Sequence, residues 1–160
     1  MRSFIARRVA DPLVRQLTQG VTPGRLALGL ALGAALGVFP VLGTTTLLCA
    51  AAAAALRLNQ PAVQVANYLA YPLQLGLYIP LFQAGAWLFG EPPVPFTLEQ
   101  VRSELAADAW STIRTYFEAN LRAVAAWGLL APPAALALGL GLRPVLSRLQ
   151  AARSGGEVRE

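Results

Sequence analysis

The chain has 160 residues, of which 56% are hydrophobic and only 13% charged, and it carries a formal net charge of +5. Soluble domains carry roughly a quarter charged residues, so this composition points to a membrane protein of one domain. There is no His and no Lys, so all 13 cations are Arg, and Cys49 is the only cysteine. That excludes an internal disulfide and a zinc ligand set, and no metal or other cofactor is expected. The arginines are spread along the flanks of apolar runs, which is the pattern of orientation charge at a membrane rather than of a nucleic-acid surface.

Residues 1–22 alternate arginines with aliphatics. Ile5, Val9, Leu13 and Leu17 recur every four residues and line one helical face, with Arg2, Arg8 and Arg15 off it. The spacing predicts an amphipathic interfacial segment, weakened at Pro12. Thr22-Pro23 then reads as a helix start, Thr as the cap and Pro in the first turn. Leu26 to Leu56 is an uncharged block of 31 residues, interrupted at Gly37–Thr46 by the run GVFPVLGTTT. Pro40 lacks an N–H, Gly43 holds no helix, and Thr44, Thr45 and Thr46 offer local hydroxyls. Helices are expected near 23–39 and 44–56. The block is either one kinked span or two half-helices returning to the same side, and two short pieces around Pro and Gly favour the hairpin. Gly29, Gly33 and Gly37 share one face, a seam for close helix approach that would suit a homo-oligomer.

A second uncharged block, Leu58 to Gly90, opens with Asn59-Gln60-Pro61, a cap followed by a proline. Asn67, Tyr71, Pro72 and Gln74 cluster inside it. Helices are expected near 61–71 and 73–89, broken at Pro72, and the two breaks should touch. Residues 91–96 hold three prolines and read as an extended linker. Thr97 to Gln100 reads as a capping box, opening an acidic amphipathic linker helix over 91–122 that runs into a transmembrane helix over 123–142, bent at Pro132-Pro133. Residues 143–160 form a basic tail with a frayed end. Residues 1–25 carry five Arg and one acid, 143–160 four Arg and two acids, and 91–122 three Arg and five acids. The positive-inside rule therefore puts both termini of a multi-pass protein in the cytoplasm.

The order of these motifs, GxxxGxFPxxGTTT, then LRLNQPAVQ, then a polar cluster with proline, resembles a bacterial membrane family catalogued as domain of unknown function 2062 (DUF2062). The matching positions are Gly33, Gly37, Pro40, Gly43, Arg57, Asn59, Pro61 and Pro72. This chain departs from the commoner pattern in having Tyr71-Pro72 where Asn-Pro is usual. The resemblance implies a bacterial inner-membrane location and association with glycosyltransferase domains. It supplies no reaction.

Read together, the fold class is all-α, a polytopic membrane protein with Pro-broken or re-entrant helices and a core over 23–90. Two interrupted segments in one small protein point to a binding site at the breaks, with Pro40, Gly43, Thr44, Thr45, Thr46, Arg57, Asn67, Tyr71, Pro72 and Gln74 as candidates. Half-helix N-termini and Arg57 suit an anionic headgroup, so binding or translocation of a polyprenyl-phosphate-like lipid is the leading function. The alternative is a membrane adaptor for a glycosyltransferase or other envelope enzyme. Catalysis is not expected, because no acid or His lies within any apolar block. Membrane lipid, a second copy of the chain and a glycosyltransferase are the partners to look for, and nucleic acid is not.

Overall fold

The computed structural model describes residues 21–94 and 97–157. The expected amphipathic segment over 1–22 therefore lies almost wholly outside the described residues. What is described is all-α, with six helices: α1 (Pro23–Gly37), α2 (Thr45–Ala55), α3 (Gln60–Leu69), α4 (Tyr71–Phe89), α5 (Leu98–Ala107) and α6 (Ala109–Glu157).

Local chemistry sets most helix ends. Thr22 Oγ1 accepts from the Arg25 N–H at 3.4 Å and Pro23 occupies the first turn of α1. Asn59 Oδ1 accepts from the Ala62 N–H at 3.0 Å, with Pro61 in the first turn of α3. At both starts the proline's missing N–H is one the helix would not have used. The same rule moves the second break. The helices meet at Ala70, and Pro72 belongs to the first turn of α4 rather than to the break itself. Both α2 and α4 end in paired carbonyl-to-amide bonds around a left-handed residue. Arg57 N–H and Leu58 N–H donate to Ala54 O and Ala53 O (3.2 and 2.8 Å), and Gly90 N–H and Glu91 N–H to Trp87 O and Ala86 O (3.2 and 2.9 Å). The left-handed residue is Gly90 in α4 but Arg57 in α2, at φ 51°.

α1 and α2 fold back as a hairpin. Arg25, in the first turn of α1, donates through Nη2 to Leu56 O and Arg57 O at the far end of α2 (3.2 and 3.1 Å). Of the two geometries open for residues 26–56, the single continuous path is thus not the one adopted. α3 then runs beside α1 in the same direction, with Gly29 and Gly33 at Val63 and Gly37 at Ala70. The side of the hairpin is closed by Cys49, Ala53, Leu58 and Val63, with Leu32 and Leu36 packed on them. Cys49 is fully buried, the small apolar role its alanine-rich neighbourhood suggests.

α6 lies against both α1 and α4. Asn120 reaches Pro40, while Gly139 and Arg143 lie beside Ala31 and Gly24, so α6 runs antiparallel to α1. α4 crosses α6 where Gly85 meets the Arg122–Ala123 backbone and Phe82 packs on Ala119 and Ala123. The helix expected over 97–142 is divided at Asp108, whose Oδ1 accepts from Trp110 and Ser111 N–H at 3.1 Å each. Two expectations for this region do not hold. Thr97 precedes α5, but its hydroxyl bonds to the Gln100 side-chain oxygen and caps no backbone N–H. Neither does the last helix stop at 142 before a frayed tail, since it continues through Pro132, Pro133 and Pro144 to Glu157. α6 is the one described helix long and apolar enough to cross a membrane, over Ala109–Ala151, with mean hydropathy 1.7 in its most apolar stretch.

The glycine face of α1 yields a direct test. A Cβ at Gly33 would collide with Val63 O and lie 2.9 Å from Ala66 Cβ, whereas one at Gly76 on α4 would meet open space. Gly33→Leu is expected to destabilise the protein by at least about 1–3 kcal/mol through overpacking. Gly76→Ala is expected to stabilise it by about 0.5–1 kcal/mol, because alanine loses less backbone entropy in a helix. Thermal melting of the two purified variants beside the parent checks both signs.

Candidate functional site

The chain between α1 and α2 leaves the helix at Val38 and re-enters it at Thr45. Carbonyls in the last turn of α1 and in this stretch accept from side chains of distant helices. Trp127 Nε1–H of α6 donates to Ala35 O at 3.0 Å. Gln74 Nε2–H of α4 donates to Phe39 O at 2.7 Å, and Asn120 Nδ2–H of α6 to Pro40 O at 3.4 Å. Thr44 closes the turn from within, its hydroxyl donating to Val41 O at 2.8 Å. The Phe39 and Trp127 rings meet edge to face, centroids 4.9 Å apart. Pro40 and Gln74 are almost wholly inaccessible.

The two breaks are therefore in contact, as the sequence predicts, but they form a sealed joint. Pro40, Asn67 and Gln74 are brought together there. Asn67, buried beside Gly37, donates to Gln64 Oε1 at 3.1 Å. Among the described residues no fully buried side-chain nitrogen or oxygen lacks a partner, and Asn67 and Gln74 each commit an amide N–H to an acceptor within the protein. Gly43, at φ 83°, makes the turn and has open space around it. Thr45 is buried and Thr46 exposed in the first turn of α2, while Tyr71 and Pro72 lie exposed at the start of α4.

Arg57 is not part of this joint. It ends the helix that Thr45 begins, so the 11 residues of α2 hold it about 16 Å away. It is exposed beside Arg25, and Arg143 lies across Gly24 at the same end of the hairpin. The ten candidates thus divide between two ends of the bundle, and a single site combining Arg57 with the breaks is excluded by the length of α2. The glycine seam is also corrected. Gly29, Gly33 and Gly37 are covered by α3 of the same chain, so this face is not free for a second copy.

Sequence reasoning missed Gln60, Gln64, Asn120 and Trp127. Gln60 and Gln64 donate to Ala50 O and Thr46 O (2.8 and 3.1 Å), tying α3 to α2. Their signal was available, since residues 60, 64 and 67 are three amides on one helical face. Asn120 and Trp127 lie about two turns apart in α6. Nothing local marks them as partners of residues 80 and 92 positions earlier.

Gln74 carries the sharpest consequence of this joint. Gln74→Leu keeps the volume but leaves the buried Phe39 carbonyl without a donor. A loss of about 1–3 kcal/mol is expected, read as a lower denaturation midpoint, while Tyr71→Phe, at an exposed ring, should leave the midpoint unchanged.

Residues 6–154 match the family model described as "Uncharacterized protein conserved in bacteria (DUF2062)", and the chain belongs to that family. No curated protein and no solved structure matches it.

Proposed function

We propose that this DUF2062 protein is an integral protein of the bacterial inner membrane that binds an anionic, phosphate-headed lipid of the polyprenyl-phosphate kind at the arginine end of its bundle. The observation that carries the reading is the grouping of Arg25, Arg57 and Arg143 at the end of the hairpin remote from the sealed joint. The ion pairs among the described residues all involve Arg114 or Arg122 with Glu91 or Glu118, on other parts of the chain. Among the described residues, then, the three arginines have no carboxylate partner, and they suit an anion.

Length supports a re-entrant hairpin. α1 and α2 measure about 22 and 16 Å at helical rise, short of a hydrocarbon core of roughly 30 Å, whereas residues 123–142 of α6 measure about 30 Å. Entered from the arginine side, the hairpin would put its turn within the bilayer, where freed carbonyls require protein donors. The donors from Gln74, Asn120 and Trp127 suit that setting. Arginine on the side shared by residues 21–25 and 143–151 agrees with cytoplasmic termini of a multi-pass chain.

Arg57 adds a further argument. A left-handed backbone costs a residue with a Cβ about 1–2 kcal/mol, and glycine would avoid the cost. A headgroup role for the guanidinium offsets it. Translocation of the bound lipid by an oligomer is the fuller form of this reading, with a seam other than the glycine face.

A second reading is an adaptor for a glycosyltransferase or other envelope enzyme, and one feature favours it. At 49 residues α6 is about 74 Å long, far more than a bilayer requires. Its first part exposes Trp110, Ile113, Phe117 and Leu121 at helical spacing.

Arg57→Gln separates the two. The residue is exposed and its backbone amide and carbonyl bonds survive the change, so folding should persist. Lipid copurified in mild detergent should lose its anionic enrichment by about tenfold, equivalent to one charge-assisted hydrogen bond, and a deletion strain should not be complemented. Full complementation with unchanged lipid, together with a stable enzyme partner in the pull-down, would instead establish the adaptor.

A further inference from the structure

An open groove of about 380 Å³ runs between α1 and α6. Its walls are Leu28 and Leu32 on one side and Leu136 and Leu140 on the other, floored by Ala31 and Ala135. Leu28, Leu136 and Leu140 remain at least half exposed, so the groove opens on the outer surface rather than into the core. Its lining contains one charge, Arg143, and no acid. That charge sits at one end, where the Arg143 Nε would lie 3.9 Å from a Cβ placed on Gly24. The first turn of α1 at this end has no acidic residue either.

We infer that this groove holds one hydrocarbon chain of a phosphate-headed lipid, with Arg143 on the phosphate. The inference rests on the lipid reading above and gives it a place. Charge complementarity selects the occupant: a long apolar trough with a cation at one end matches an amphiphile with a single anionic head. A partner protein helix would leave Arg143 facing apolar side chains unless it brought its own acid. The guanidinium offers a fork of donors to phosphate oxygens, and the positive end of α1 reinforces it. The leucine walls contribute apolar contact along the chain.

Photocrosslinking tests the assignment. The full-length protein is placed in phosphatidylcholine vesicles doped with phosphatidic acid that carries a diazirine in its acyl chain. Adducts should concentrate on residues 24–32 and 132–143. Arg143→Gln, at an exposed position, should reduce them about tenfold, as expected for loss of a charge-assisted contact. Leu136→Trp, which fills the trough, should reduce them without removing the charge. Melting temperatures confirm that both variants are folded. Adducts spread over all exposed apolar helices and unchanged by either variant would overturn the groove while leaving lipid binding elsewhere in place. Equal yields from a diazirine phosphatidylcholine would overturn the headgroup assignment to Arg143. Failure of phosphatidic acid to exceed phosphatidylcholine anywhere, with no anionic lipid copurified, would defeat the lipid reading as well. A high-yield disulfide between Leu13→Cys and Leu136→Cys would assign the trough to the chain's own first residues and overturn the inference.

Discussion

The fold depends on supplying donors to backbone carbonyls in the last turn of α1 and in the chain just after it. Ala35 O, Phe39 O and Pro40 O receive theirs from Trp127, Gln74 and Asn120. A buried carbonyl without a donor costs about 1–3 kcal/mol, so the three bonds matter more as avoided penalties than as attractions. They also fix geometry. Each ties the turn between α1 and α2 to α4 or α6, and the hairpin, the crossing helix and the long helix can meet in only one register if all three are made. Gly33, Gly37 and Gly85 serve the same end by letting backbones approach where side chains would hold them apart.

Much of this was legible. Thr22-Pro23 and Asn59-Gln60-Pro61 state helix starts with a mechanism, and the structure places a cap at each. The interruption at Pro40 and Gly43 was visible because both residues act locally. The seam at 29, 33 and 37 was visible as a tendency, but spacing says that something approaches closely and not which helix does. The fate of Arg57 was harder still. Folding α2 back on α1 puts its last residue beside Arg25, and that follows from a turn direction the sequence does not encode residue by residue.

What a proline does depends on its surroundings. Pro40 lies just beyond the end of α1, in a turn between Gly37 and Gly43, where no helical bond is asked of it. Pro132 and Pro133 have more than twenty helical residues on either side, and α6 continues through them. A proline removes one helical bond and crowds the carbonyl four residues back, at a cost of about 3 kcal/mol; a long apolar helix anchored against α1 and α4 can carry that cost. Likewise Pro72 reads as a breaker from its ring alone, yet the chain uses it to begin α4.

The donors to the joint arrive late. Gln74 lies 35 residues beyond Phe39, and Asn120 and Trp127 lie 80 and 92 residues beyond their acceptors. At a synthesis rate of about 5–20 residues per second, the turn at Pro40 waits roughly 4–18 s for Trp127 to leave the ribosome. During that interval α1, α2 and α3 can already pack through Gly33 and Val63, since those contacts are local to the first half of the chain. Synthesis thus allows a stage in which α1, α2 and α3 are assembled around open carbonyls, and other donors, such as water, must hold those groups until α6 is made.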